Sequence, residues 1–204
     1  MSGRRISFEA VDGHPEFVPL ASLSGVRVDL RYAGLGNVFG QAVYAGLDCA
    51  WVHVDAGAAL GQTVAWLAEH APDQHLLVLD ALRPHRIQQT LWDSLADTSL
   101  RLYLADPSRG SIHSYGLAVD ATLIDDQGHE LDMGTPFDAM TPLSHPELEA
   151  VHLTAGALRS EQVANRELLR SAMRAGGFQG IRHEWWHFDL HDREEVRAHG
   201  LRVE

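Results

Sequence analysis

The pattern of apolar positions predicts a chain that mixes strands with helices. Apolar and polar residues alternate over residues 26–32 and again over residues 117–124, which is typical of strands. A compact apolar run at residues 76–80 predicts a strand buried on both faces. The remaining patterns predict helices at 58–70, 85–97 and 161–174 and a final strand or hairpin at 178–190. We expect one domain of mixed α and β structure at residues 26–204, preceded by an N-terminal arm at residues 1–25.

Two loops rich in small residues lie between the predicted elements. Residues 33–40 are rich in glycine, but they lack the spacing of a phosphate-binding loop and no apolar helix follows them directly. Residues 133–146 are rich in Gly, Pro, Thr and Asp, and they include Asp138. Because long loops inside compact domains are commonly functional, we expect this second loop to be ordered and to contribute to a site.

Composition and charge restrict the class of protein. The 204 residues are 45% hydrophobic and 22% charged, which is the balance of an ordinary globular protein with one core. The net charge of −12 argues against a nucleic-acid partner, which would require a basic face. The chain shows no apolar run typical of a secretion signal or of a membrane span, so we expect a cytoplasmic protein without a membrane partner. The single cysteine, Cys49, excludes an internal disulfide and leaves nitrogen and oxygen ligands for any metal site.

Residues 111–120 contain a first pair of candidate metal ligands. His113 lies in a polar loop, and Asp120 follows seven positions later, beyond Gly116, which frees the backbone to turn. Residues 117–124 would bury one face of a strand, so Asp120 would point from the other face toward the loop histidine. An imidazole and a carboxylate placed together in this way suit a borderline metal such as zinc. The alternative for these two residues alone is a serine-rich turn with a solvated histidine and an aspartate that caps a neighbouring group.

Residues 183–187 match H-E-x-x-H, the helical zinc motif of many metallopeptidases. The aromatic residues in and after this segment favour a strand, whereas the motif requires a helix to bring its two histidines together. The glycine and third histidine of the extended motif are also absent. We therefore predict that His187 joins His113 and Asp120 as a third ligand, with the fourth position open to water as in catalytic zinc sites. His183 is then not a ligand.

Two charged residues near these ligands are candidates for catalysis. Glu184 precedes the third ligand by three positions, close enough to take a proton from a metal-bound water, whose pKa zinc lowers from about 15.7 toward about 7. The alternative for Glu184 is a surface carboxylate paired with Arg182. Arg83 lies at the carboxyl end of the strand predicted at 76–80, a place where sites are often built. Its alternative is a surface arginine packed on Trp92.

Two motifs together resemble a known family. The first is Ser-x-His-x-x-Gly-x-Ala-x-Asp at residues 111–120, and the second is Glu-Trp-Trp-His at residues 184–187. In this order they resemble the D-alanyl-D-alanine dipeptidases associated with vancomycin resistance, which are related to zinc D,D-carboxypeptidases and to the hedgehog fold. Other matching segments extend the resemblance over most of the chain from Val28 onward: residues 29–33 with Asn37 and Phe39, residues 80–84, residues 133–138, Asn165-Arg166 and Gly177-Phe178.

The resemblance implies a fold, a metal and a catalytic pair. The fold would be a single α+β domain with a small, mainly antiparallel sheet and flanking helices. One zinc ion per chain would be bound by His113, Asp120 and His187. Glu184 would be the general base that activates the metal-bound water and later protonates the leaving amine, and Arg83 would stabilise the tetrahedral oxyanion.

The resemblance also implies how the substrate is bound. Asp138 would hold the substrate ammonium, Ser111 would lie near its carboxylate, and Tyr32 would also contact the substrate. Asp80 would orient Arg83. A carboxylate for one terminus and a hydroxyl or arginine for the other would measure the length of the substrate. The implied reaction is hydrolysis of D-Ala-D-Ala, or of a close D,D-dipeptide, to free amino acids.

Two positions depart from the pattern of the family. Leu82 replaces the aromatic residue commonly found before the arginine, which bears on the shape of the pocket, and His183 adds a charge beside Glu184 at low pH. Two alternatives stay open: a zinc D,D-carboxypeptidase or endopeptidase that acts on peptidoglycan stem peptides, and a non-catalytic zinc-binding module of the same fold. Two cellular roles fit the implied reaction: antibiotic resistance and recovery of D-alanine from wall turnover.

Overall fold

Among residues 4–204, the regular structure consists of five α-helices and nine short strands, joined by loops and short 3-10 helices. The computed structural model describes residues 4–204, except for the side chain of residue 102. The helices in that range are α1 (Val54–His70), α2 (His85–Ser94), α3 (Glu149–Thr154), α4 (Ser160–Ala175) and α5 (Arg193–His199). The strands are β1 (Arg4–Ile6), β2 (Phe17–Pro19), β3 (Arg27–Val28), β4 (Trp51–His53), β5 (Gln74–Asp80), β6 (Ala118–Asp125), β7 (Gln179–Gly180), β8 (His187–Asp189) and β9 (Leu201–Val203).

The central sheet has five strands in the order β3-β5-β6-β8-β7. β3 pairs with β5 in parallel, and the other three pairs are antiparallel. Helices α1 and α4 pack against each other, α1 packs against β5, and α4 packs against β6. The prediction of an α+β fold with a small, mainly antiparallel sheet and flanking helices is therefore confirmed.

The two longest strands form the centre of the core. β5 is buried over its last five residues, as its apolar run predicts. β6 is buried over seven of its eight residues, so the prediction that only one of its faces is buried is wrong. Helices cover one face of the sheet, and Phe137, from the long loop that follows β6, packs against Leu77, Leu79 and Ile124. This loop closes the second face.

The structure corrects the predicted strand at residues 26–32. Only Arg27 and Val28 pair in the sheet, both exposed at its edge, and a short 3-10 helix follows at Arg31–Ala33. The chain turns there because the Ala33 N–H bonds back to the carbonyl of Leu30. This turn buries Tyr32, which a continued edge strand would not do.

The N-terminal segment packs against the rest of the chain. β1 pairs in parallel with β9 at the other end of the chain, and β2 pairs antiparallel with β4. Residues 1–3 of the predicted arm lie outside the described residues. The division into an arm at 1–25 and a domain at 26–204 stays a prediction. Within residues 4–204, every helix is too short or too polar to cross a membrane.

Candidate active site

Three strands place a row of polar side chains on one face of the sheet. Asp120 of β6 lies opposite His187 of β8 in the antiparallel pairing. On the other side of β6, the pairing with β5 shifts by one residue between Val78 and Asp80, so Asp80 becomes the partner of Asp120. An irregularity of this kind re-aims a side chain, and it brings both aspartates to the same face.

A tight turn brings His113 to the same row. His113 belongs to a 3-10 helix at Ile112–Tyr115, which ends at Gly116 in the left-handed conformation with φ of 66°. A Cβ atom at position 116 would come within 2.7 Å of the backbone nitrogen of His53, so the turn requires glycine. The Nδ1 of His113 lies 2.8 Å from the carbonyl oxygen of Ala81, which fixes the ring and directs Nε2 toward Asp120.

Three ligand atoms converge at this point. The Nδ1 of His187 lies 2.9 Å from Asp120 Oδ1 and 3.2 Å from His113 Nε2, and His113 Nε2 lies 3.4 Å from Asp120 Oδ1. A tetrahedral ion with bonds of about 2.0–2.1 Å keeps its ligand atoms roughly 3.3 Å apart. The three atoms therefore have the spacing of a tetrahedral metal site with one position open.

Arg83 is buried beside the three ligand atoms. Its Nε and Nη2 donate to Asp80 Oδ2 at 3.1 and 2.5 Å, and its Nη1 donates to Gln88 Oε1 at 3.0 Å. Its Nη2 also lies 3.7 Å from Asp120 Oδ2. Burial disfavours the charged form, but Asp80 outweighs it and raises the pKa of Arg83 well above its ordinary value. Arg83 is thus a fixed cation, not a surface arginine packed on Trp92.

Tyr32 connects Arg83 to Asp138. The guanidinium of Arg83 lies over the Tyr32 ring, 4.8 Å from its centre, and the Tyr32 hydroxyl donates to Asp138 Oδ2 at 2.8 Å. The N–H of Val38 donates to the same oxygen at 3.2 Å. Burial raises the pKa of Asp138 to about 6. Asp138 is therefore a poorly solvated carboxylate with a fixed orientation, suited to a cationic partner.

Glu184 lies in the loop before β8, so residues 183–187 do not form a helix. Burial raises the pKa of Glu184 to about 8. Its side chain lines a cavity of about 430 Å³ together with all of the other predicted site residues: Tyr32, Arg83, Ser111, His113, Asp120, Asp138 and His187. Leu82, in contrast, is buried against Leu201 and Val203 and is not among the residues that line this cavity.

Comparison with known proteins connects this site to a family. A family model described as D-ala-D-ala dipeptidase (Peptidase_M15) matches residues 14–201. The D-alanyl-D-alanine dipeptidase of Escherichia coli is 39% identical over 176 residues, which cover 86% of this chain and 84% of that protein. The chain belongs to the D-Ala-D-Ala dipeptidase family.

Further relatives carry the same name. The D-alanyl-D-alanine dipeptidase of Streptomyces coelicolor is 35% identical over 190 residues, covering 82% of this chain and 87% of that protein. The protein of the same name from Enterococcus faecalis is 30% identical over 186 residues, covering 83% of this chain and 88% of that protein. Among solved structures, the LdcB LD-carboxypeptidase matches with a TM-score of 0.49 and 14% identity over 90% of this chain and 73% of that chain.

Membership of the D-Ala-D-Ala dipeptidase family makes the chain a metallopeptidase that acts on a small peptide. Its three candidate ligands fit a cation. His113 Nδ1 must donate to the Ala81 carbonyl, which can only accept, so Nε2 presents a lone pair. His187 Nε2 lies 3.0 Å from the carboxylate of Asp189, which also accepts from Arg193, so Nε2 of a neutral His187 carries the proton and Nδ1 presents a lone pair.

Two imidazole lone pairs and a carboxylate oxygen thus face one another in this dipeptidase. Burial opposes a charge on His187, but Asp189 and Asp120 raise the pKa of His187 well above its ordinary value. The raised pKa means that the cluster holds a proton on His187 more tightly than a free histidine would, and a metal ion would displace that proton on binding. The donor set therefore fits a divalent metal ion.

The sequence analysis missed three residues that support this site. Asp189 contacts His187 from two positions along the same strand, a spacing that places both on one face and could have revealed it. The Tyr44 hydroxyl donates to Asp80, and Gln88 bridges Arg83 to the Ala105 carbonyl. No sequence signal distinguishes Tyr44 or Gln88, because each lies in a different element from the group that it contacts.

Proposed function

We propose that this chain is a zinc-dependent dipeptidase that hydrolyses D-Ala-D-Ala, or a close D,D-dipeptide, to free amino acids. The observation that carries the proposal is the convergence of three candidate metal ligands, the partly buried carboxyl group of Glu184 and a fixed guanidinium on one cavity of about 430 Å³. A cavity of this size is typical of sites for small molecules. The preference for a D,D-dipeptide rests on membership of the family.

His113, Asp120 and His187 would hold the zinc ion. When bound, zinc would supply Lewis-acid polarisation of the scissile carbonyl and lower the pKa of water at its open position to about 7. The Ala81 carbonyl and Asp189 orient the two imidazoles, as outer partners of metal-ligating histidines commonly do.

Glu184 would move the proton. A general base and acid works best when its pKa lies near the working pH, and burial brings the pKa of Glu184 to about 8. The positive charge of His187 favours the carboxylate form, and a metal ion at that position would favour it further. Glu184 would take a proton from the attacking water and then protonate the nitrogen of the leaving amine.

Arg83 would stabilise the negative charge that develops on the carbonyl oxygen. Its guanidinium is held by Asp80 and Gln88 and stacks on Tyr32, so it needs no rearrangement when the charge appears. Preorganised charge of this kind, in a site with little water, is commonly the largest contribution to a lowered barrier.

Asp138 and Ser111 would select the substrate by its two ends. The carboxylate of Asp138 would bind the ammonium group, and the buried hydroxyl of Ser111 would lie near the carboxylate of the dipeptide. A peptide extended at its N-terminus would place a neutral amide, not an ammonium group, beside Asp138. The buried carboxylate would then lack a cationic partner. This arrangement supports cleavage of free dipeptides over stem peptides.

Release of amine from D-Ala-D-Ala by zinc-loaded protein tests the proposal. L-Ala-L-Ala and a peptidoglycan stem pentapeptide serve as comparison substrates. We expect turnover of the D,D-dipeptide alone. Cleavage of the pentapeptide would instead indicate a D,D-carboxypeptidase or endopeptidase, and bound zinc without cleavage of any substrate would indicate a non-catalytic zinc-binding module.

A further inference from the structure

A second group of side chains that can ligate a metal lies outside the proposed zinc site. His145, Glu147 and His183 each offer one ligand atom, and the three atoms lie within 4.8 Å of one another. The Nε2 of His183 is 3.8 Å from Glu147 Oε1. The rings of His145 and His183 are 4.9 Å apart and nearly perpendicular, at 82°.

This second group lies at the edge of the catalytic cavity. His183 directly precedes Glu184, and both line the cavity. His145 is fixed by a contact of 3.0 Å from its Nε2 to the hydroxyl of Tyr103, which lines the same cavity. Glu147 lines an adjacent groove of about 1080 Å³, and His183 lines both the cavity and this groove. The group therefore lies between the cavity and the groove, with His183 at the edge of both.

The chemistry of the group favours a transition metal. Two imidazoles and a carboxylate suit zinc, nickel or copper, whereas magnesium and calcium prefer oxygen ligands alone. Burial and the neighbouring His183 both lower the pKa of His145, so its imidazole is neutral and has a lone pair available at neutral pH. Pro146 lies between two of the three ligands and restricts the backbone that presents them.

We propose that His145, Glu147 and His183 form a second, weaker zinc site, and that zinc bound there inhibits hydrolysis. It would be weaker than the catalytic site because Glu147 and His183 are about half exposed and must move closer to reach tetrahedral spacing. Bound zinc would tie the segment that carries Glu184 to residues 145–147 and narrow the mouth of the cavity. The proposal that zinc binds at this second site does not depend on the proposed function. The proposal that this zinc inhibits hydrolysis does rest on the proposed function.

Metal content tests the binding. Wild-type protein, a His145→Gln/His183→Gln double variant and a His129→Gln control would be dialysed against excess zinc, and zinc per chain would be measured by mass spectrometry of the metal. His129 is an exposed histidine outside both groups. We expect two zinc ions per chain in the wild type and in the control and one in the double variant. One ion in the wild type, or two in the double variant, would overturn the second site.

Hydrolysis of D-Ala-D-Ala at increasing free zinc tests the inhibition. We expect the rate of the wild type and of His129→Gln to fall several-fold once the catalytic site is full, and the rate of the double variant to stay constant. Equal inhibition of all three proteins would overturn the regulatory role. If no protein cleaves the dipeptide, the proposed function fails, and the zinc count still decides whether the second site exists.

Discussion

Asp138 has two unfavourable features in the folded protein. Its backbone adopts φ of 64°, in the left-handed region that is uncommon and strained for residues other than glycine, although aspartate and asparagine tolerate it better than most. Its carboxylate is buried, which raises its pKa to about 6 from an ordinary value near 3.8. Residues held in this way persist where the surrounding structure imposes the conformation, and they cluster at functional sites. The two features support a role for Asp138 in binding the substrate ammonium.

Replacement of Asp138 by asparagine should stabilise the protein and weaken substrate binding. Asparagine tolerates the same backbone conformation, and its carbonyl oxygen can accept from the Tyr32 hydroxyl and the Val38 N–H. Between about pH 4 and pH 6 the folded protein holds a proton on Asp138 that the unfolded chain releases, so stability falls as pH rises through this window. Above pH 6, Asp138→Asn should be more stable by about 1–3 kcal/mol.

Thermal unfolding at pH 4 and pH 8 measures that difference, and steady-state kinetics measure KM. We expect the stabilisation to appear at pH 8 and to shrink at pH 4, together with an increase in KM for D-Ala-D-Ala of at least about tenfold, because an ionic contact is lost. An unchanged KM would contradict the assignment of Asp138 to the ammonium group.

The candidate metal ligands were predictable from the sequence because they lie in two recognisable motifs. His113, Asp120 and His187 lie in two motifs that belong to the ends of paired strands, and the structure brings the three side chains together. The zinc ion itself and the role of each residue stay predictions. The contact between Asp80 and Arg83 was predicted, but their further partners Tyr44 and Gln88 were not predictable, because those contacts depend on how distant elements pack.

At the scale of elements, one buried arginine holds the loop that contains Asp138. Arg166 of α4 is fully buried, and its Nε donates to the Met133 carbonyl at 2.6 Å. Its Nη2 donates to the Leu143 carbonyl at 3.1 Å, and its Nη1 donates to Glu149 Oε1 at 3.3 Å. Both ends of the loop are therefore fixed to the same helix.

Substitution of Arg166 by methionine should loosen this loop. The change removes three charge-assisted hydrogen bonds and leaves one buried and one partly buried carbonyl without these donors, so we expect a loss of about 3 kcal/mol in the free energy of unfolding. Urea unfolding measures the loss. Arg159→Met is the matched control, because Arg159 is exposed and pairs with Asp132 at the surface, where such pairs contribute about 0–1 kcal/mol. Equal losses in the two variants would contradict the account of the loop.

Local patterns predicted the long elements better than the short ones. Predicted helices at 58–70, 85–97 and 161–174 correspond to α1, α2 and α4, with ends displaced by up to four residues. α1 begins earlier because His53 Nδ1 accepts the N–H of Asp55 and caps the helix. The prediction of a strand at 26–32 was wrong because apolar and polar residues keep alternating after the chain has left the sheet. There the apolar side chain of Tyr32 is buried by a 3-10 helix and not by a strand.

At the scale of the whole molecule, the first and last described strands meet beside Leu82, the residue before Arg83. Leu201 and Val203 of β9 pack with Val11, Phe17 and Leu82 in one buried cluster. β9 also pairs with β1. Since Leu82 directly precedes Arg83, this cluster supports the segment that carries the guanidinium. We infer that the predicted N-terminal arm unfolds together with the catalytic domain.

Leu201→Ala tests that inference. Removal of this buried side chain should cost about 2–5 kcal/mol in the free energy of unfolding. The whole chain should still unfold in a single transition, seen alike by circular dichroism and tryptophan fluorescence. Leu35→Ala is the control, because Leu35 is 73% exposed and its loss should cost less than about 0.5 kcal/mol. Two separate transitions, with only the smaller one shifted by Leu201→Ala, would contradict the inference.

The order of the strands could not be read from hydrophobic patterns. β5 and β6 are separated by 37 residues, and β1 and β9 join the two ends of the chain, so their pairing depends on packing between distant segments. The shift in pairing next to Asp80 is likewise a feature of two strands together. The sequence does reveal which polar residues lie near the ends of strands, and the candidate site forms from those residues.

The central claim is that His113, Asp120 and His187 bind zinc while Glu184 only moves the proton. Its most direct test is the zinc content and the turnover of D-Ala-D-Ala, measured together for Glu184→Gln and His187→Ala. Glu184→Gln should keep one zinc ion at the catalytic site and lose about 10²–10⁴-fold in kcat, since that is the range general acid–base catalysis contributes. His187→Ala should lose the ion and the activity together. A Glu184→Gln protein with unchanged turnover, or a His187→Ala protein that binds as many zinc ions per chain as the wild type, would contradict the account.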